Sequence, residues 1–142
     1  MSSGLYPSTI VDFRDALGLA MALADEYAFA NAVTLLDSDG AIVDLAIVHG
    51  VGYTIEPLLS WATAAAAATQ GRGPVAAVLL SVRPHEVGVV REEDLWRYRR
   101  GCWTMAAAGL ELLDWIETDG DLYRSFANIA CPALAWAADN TI

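Results

Sequence analysis

The chain has 142 residues, with 8 Lys plus Arg against 18 Asp plus Glu and a formal net charge of −10. That balance opposes non-specific contact with nucleic acid, whose phosphates require a positive field. The content is 56% hydrophobic, yet no apolar run nears the ~20 residues that span a bilayer, so neither nucleic acid nor membrane is expected as a partner. The length suits one domain, taken as residues 1–142. Met1-Ser2-Ser3-Gly4 has no basic or apolar leader, which sets a cytoplasmic expectation. Cys102 and Cys131 lie outside any CxxC pattern and are expected to be buried and reduced.

The first element is a helix. Ser8 or Thr9 offers a cap, with Asp12 completing a box-like pattern, and Ile10, Phe13, Leu17, Met21 and Ala24 recur at helical spacing. Asn31 to Leu36 and Ala41 to His49 read as two strands joined by the turn Asp37-Ser38-Asp39-Gly40, hence a hairpin. After the break Gly50-Val51-Gly52, Pro57 opens a second helix that ends near Gly71-Arg72-Gly73-Pro74. Val75 to Leu80 is continuously apolar, as in a strand buried on both faces. A loop follows, and Glu92-Glu93-Asp94 suit the N-terminal dipole of a third helix. Its inner stripe is read as Leu95, Tyr98, Cys102, Met105 or Ala106, and Gly109. Glu111 to Glu117 and Leu122 to Phe126 read as two last strands around Asp119-Gly120. The predicted order is α-β-β-α-β-α-β-β: an α/β fold with a single mixed sheet flanked by helices.

Ser81-Val82-Arg83-Pro84, with Arg91 and Asp94, has the spacing of His-x-His-x7-Ser-x2-Asp with proline after the second histidine. Leu35-Leu36-Asp37 before a turn, Leu113-Asp114-Trp115, and Asp119-Gly120 leading to Tyr123 and Ser125-Phe126 fall around it in order. Together these resemble the RadC-type branch of the JAB/MPN metalloprotease family, over roughly residues 29–127. The resemblance implies a cytidine-deaminase-like sandwich and a zinc site at Ser81, Arg83, Arg91 and Asp94. Of those four positions only Asp94 keeps the family's residue, and Trp115 replaces the histidine of its Leu-Asp-His. Phe29 stands where the family has its base glutamate, with Glu26 the nearest carboxylate.

Catalytic zinc needs about three protein ligands, an open water position and a nearby base. Serine is a poor ligand and arginine stays protonated. Zinc-dependent hydrolase activity is therefore not expected, and no metal, cofactor or catalytic residue is assigned. Arg83 or Arg91 is expected to form an ion pair with Asp94 or Glu86 in the vacated space; the alternative is an anion pocket built from Arg83 and Arg91. His49 and His85 read as surface side chains.

Trp96, Arg97, Tyr98, Arg99, Arg100 and Trp103 form the one basic aromatic cluster. Ion pairing of Glu93 with Arg97 and stacking of Trp96 on Arg100 would explain part of it. Trp96, Trp103, Arg99, Arg100 and Trp136 also have the composition of a protein interface. The expectation is a non-catalytic, protein-interacting or self-associating module. Its form would be a homodimer burying on the order of 1,200–2,000 Å² through the third helix, the apolar tail Cys131 to Ala137, or both. A small-molecule or anion-binding domain, and a hydrolase with a relocated site, are the competing readings.

Overall fold

A computed structural model describes residues 6–50, 54–69, 73–84 and 90–130. The elements are α1 (Phe13–Glu26), β1 (Ala30–Leu36), β2 (Ile42–His49), α2 (Glu56–Ala68), β3 (Ala76–Val82), α3 (Glu92–Ala107), β4 (Glu111–Thr118), β5 (Tyr123–Ser125) and α4 (Phe126–Ala130). Five strands form one sheet in the order β2-β1-β3-β4-β5. Only β3 and β4 are parallel; the remaining neighbours are antiparallel. The α/β class and the single mixed sheet follow from these pairings. Among the described residues no helix is long and apolar enough to cross a membrane.

Local chemistry explains the elements. Asp12, not Ser8 or Thr9, caps α1: its carboxylate accepts from the Asp15 amide at 2.9 Å. Thr9 instead bridges Ala41 across the chain. Asp37 folds the hairpin turn by accepting from the amides of Asp39 and Ala41, both at 2.9 Å. Gly40 sits there at φ 83°, and a Cβ on it would come within 2.8 Å of the Ile10 carbonyl oxygen, so the position admits only glycine. The last strand is shorter than the sequence pattern suggests. Phe126 leaves it to begin α4, because Ser125 accepts from the Asn128 amide at 3.1 Å and turns the chain.

The central strands β1 and β3 are buried at every position, as expected for strands covered on both faces. One face carries Ala30, Ala32, Leu36, Val78, Leu80, Val82 and Ile116 against Leu19, Ala20 and Leu23 of α1. The other carries Val33, Leu35, Ala77, Leu79, Leu112 and Trp115 against α2, α3 and α4. In α3 the buried positions are Tyr98, Gly101 and Met105, with Leu95 and Cys102 partly buried. Gly101 replaces the expected Ala106 and Gly109, since a Cβ on it would already press Leu112 at 3.3 Å. Cys102 is a free, half-buried thiol whose pKa is raised by burial.

Candidate functional site

Register places the site. Asn31 on β1 pairs with Ser81 on β3, Ser81 with Glu117 on β4, and Glu117 with Arg124 on β5. Four polar residues thus stand abreast across four strands, near the carboxyl ends of the parallel pair. Asn31 and Ser81 alternate in step with Val33, Leu35, Ala77 and Leu79, so they share the face covered by α2 and α3. Arg83 follows Ser81 by two residues and reaches back over the row.

The side chains satisfy one another. Ser81, fully buried, donates from Oγ to Asn31 Oδ1 at 2.6 Å and accepts from Trp115 Nε1 at 2.9 Å. Arg83, 9% exposed, donates from Nε to Glu117 Oε2 at 3.0 Å and from Nη1 to Asn31 Oδ1 at 3.2 Å. Asn31 donates from Nδ2 to the Thr54 carbonyl ahead of α2 at 3.4 Å. Arg124 donates from Nε to the other Glu117 oxygen, Oε1, at 2.6 Å, and its Nη2 is held on the same atom. That Nη2 also lies 3.8 Å from Asp94 in the first turn of α3. One buried glutamate therefore bridges two arginines, and the chain of charges ends on Asp94. Among the described residues no buried side-chain nitrogen or oxygen lacks a partner.

A second buried group lies alongside. Asp114, fully buried, accepts from Ser125 Oγ at 2.6 Å, from its neighbour's amide on Trp115 at 2.7 Å and from the Ala127 amide at 2.9 Å. It fixes the start of α4, which brings Phe126 into a stack on Trp115 at 4.2 Å and 12°. Arg124 lies 5.3 Å from the Phe126 ring centre.

The structure brings Ser81, Arg83 and Asp94 to one end of the sheet. Among the described residues the ion pairing of Asp94 differs from the expectation, and the expected pairing with Glu86 lies outside them. Arg83 binds Glu117 rather than Asp94, and Asp94 faces Arg124. Arg91 is exposed at the N-cap of α3. Glu86 and His85 lie outside the described residues, as do Cys131, Trp136 and the remainder of the tail. His49 stacks on Tyr27 at 5.1 Å. Glu26, at the far end of α1, accepts from the Tyr6 hydroxyl and belongs to the opposite face.

Zinc, which the resemblance implies at this place, does not suit these donors. The Ser81 oxygen is engaged by Asn31 and Trp115, and Arg83 sets a permanent cation where a ligand would stand. Among the described residues no three His, Cys, Asp or Glu side chains stand close enough to hold a metal ion.

Glu117, Arg124 and Asn31 escaped the sequence reading. A usable signal did exist: Glu117 follows Trp115 and Ile116 on a largely buried strand, and a carboxylate there calls for a cationic partner.

On α3, Trp96 and Trp103 are 51% and 63% exposed and meet edge to face at 5.8 Å. Among the described residues neither the Glu93–Arg97 ion pair nor the Trp96–Arg100 stack forms. Glu92, Glu93, Leu95, Trp96 and Arg99 line a surface depression of about 310 Å³. Neither a protein-family model nor a curated protein matches the chain.

Proposed function

We propose that this chain is a non-catalytic domain on a RadC-like JAB/MPN frame and acts through protein contact rather than chemistry. The observation that carries the reading is the Arg83–Glu117–Arg124 cluster. Ligands of α/β sheets collect outside the carboxyl ends of parallel strands. Here that place is filled by side chains whose charges and hydrogen bonds are met internally. Support comes from the α/β elements around a single mixed sheet and from Ser81, Arg83 and Asp94, the positions that the resemblance implies for a metal, which stand at one end of that sheet.

The competing anion pocket at Arg83 and Arg91 has less support. Arg83 already donates to Glu117 and Asn31, so an incoming anion would have to displace a carboxylate held in a buried pair.

Metal analysis of the purified, dialysed protein tests the reading, with zinc well below one equivalent as the expected result. Stoichiometric zinc that survives dialysis and disappears in Asp94→Ala would overturn it. Working states consistent with the reading are a homodimer or a complex with another protein.

A further inference from the structure

From the exposed face of α3 we infer that this surface pairs with a second copy of itself, the two helices antiparallel about a two-fold axis at Trp96. The inference deepens the reading of the chain as a contact module by naming the partner, and rests on it to that extent. Its basis is a symmetry in the side chains. Glu92 and Arg100 lie four residues before and after Trp96, and Glu93 and Arg99 lie three before and after. Offsets of three and four share one side of a helix, and all five residues are exposed. The face is therefore acidic on one side of a tryptophan and basic on the other. Turned through a two-fold, it opposes Glu92 with Arg100 and Glu93 with Arg99 twice over, and places Trp96 against its own copy. A parallel pairing would set like charges together instead. Residue i meets j and j meets i, as an isologous interface requires.

The observed charges leave the face open to a partner. Among the described residues Glu92, Glu93, Arg99 and Arg100 have no ion pair within the chain. Trp96 is already held edge-on by Trp103, so little rotamer freedom is left to lose on association. Trp103, seven residues after the axis, would reach the start of the partner helix. With ~150–250 Å² per fully buried aromatic side chain and both tryptophans half-exposed or more, the four rings hold on the order of 450 Å². That is about a third of a standard interface of ~1,200–2,000 Å², so flanking residues must supply the rest and the pair is expected to be weak.

The test is sedimentation of the full chain over a concentration series, with thermal unfolding as the folding control. Wild type should show reversible dimerisation that weakens with added salt. R99E/R100E makes the face wholly acidic and E92R/E93R makes it wholly basic. Each should raise the dissociation constant at least about tenfold, the scale of turning close pairs from attraction to repulsion. Equimolar mixing of the two variants should restore dimer, as should the fourfold charge swap. R99E/R100E leaves the first helical turn intact, so it remains decisive if the other variant folds poorly. A wild type monomeric at 100 micromolar (about 1.5 mg/ml), or a dimer indifferent to these reversals and to W96A, overturns the pairing. Zinc content decides the non-catalytic reading separately, so the two can fail independently.

Discussion

Glu117→Gln should be among the most damaging conservative substitutions in the protein. The change keeps the side chain's shape and removes its charge. The Gln oxygen can still accept from one arginine, but its amide nitrogen then presents donors to the other. Arg83 is 9% exposed and the Arg124 side chain 15%, so neither cation can simply return to water. At ~3 Å and an effective dielectric near 20, each lost contact is worth on the order of 5 kcal/mol before desolvation is counted. Part of that is offset, since Glu117 no longer has to be held ionised away from solvent. Breaking a buried pair by removing one partner typically leaves a net cost of about 3–5 kcal/mol. Such a loss is about a fifth or more of a typical domain's stability of ~5–15 kcal/mol. It should lower Tm by roughly 8–15 °C in a chain of this size. Urea unfolding of wild type, Glu117→Gln and Glu117→Gln/Arg83→Met gives the assay. The double variant should recover part of the loss because it removes a stranded cation. If Glu117→Gln alone costs less than ~1 kcal/mol, the cluster is effectively solvated and the argument fails.

The pair between Arg124 and Asp94 is longer, at 3.8 Å, with its side chains 15% and 19% exposed. Asp94→Ala should therefore cost only about 1 kcal/mol or less in urea unfolding, first-turn dipole included. Asp114→Ala removes the acceptor for the Ser125 hydroxyl and the Ala127 amide; at about 1–3 kcal/mol per stranded donor, a loss of ~3 kcal/mol or more should appear in the same experiment. The Tyr98 phenol is pushed well above its usual range by burial first, then by neighbouring Cys102 and Asp114. Its folded pKa lies above the unfolded one, so its contribution is complete below the usual phenol value of ~10 and is lost as pH rises beyond it. Stability measured between pH 9 and 11 should fall with base, and Tyr98→Phe should flatten that fall.

The elements were legible because local pattern dominates them. β3 shows its double burial as an apolar run, and α3 shows its start as three acidic residues. Where long-range contact competes, the pattern misleads. Thr9 reads as a helix cap but is drawn into a bridge with Ala41, leaving the role to Asp12. The site divides in the same way. Ser81, Arg83 and Asp94 stand out only through the resemblance of their spacing to a family motif. Their partners do not stand out at all. Glu117 stands 34 residues after Arg83, across a helical crossover, and its alignment depends on the register shift between Ala77 and Val78. A slip of one residue would turn Glu117 to the other face of the sheet. No local feature of the sequence specifies that register.

The buried cluster and the surface of α3 are one mechanical problem. Asp94 lies in the first turn of α3 and ends the charge chain from Arg83 through Glu117 and Arg124. Two turns along, Gly101 lets the helix seat on Leu112 and Leu59. The helix is thus fixed at one end by charge and in the middle by close packing, with Glu92, Glu93, Trp96, Arg99 and Arg100 on its outer side. A self-complementary face works only if the two helices meet at a defined angle, because charge pairs on either side of Trp96 must close together. The compensated ion cluster serves that purpose: it holds the first turn of α3 to the sheet through the contact of Arg124 with Asp94. A weakened cluster should therefore cost association as well as stability, even though none of its buried members touches the outer face.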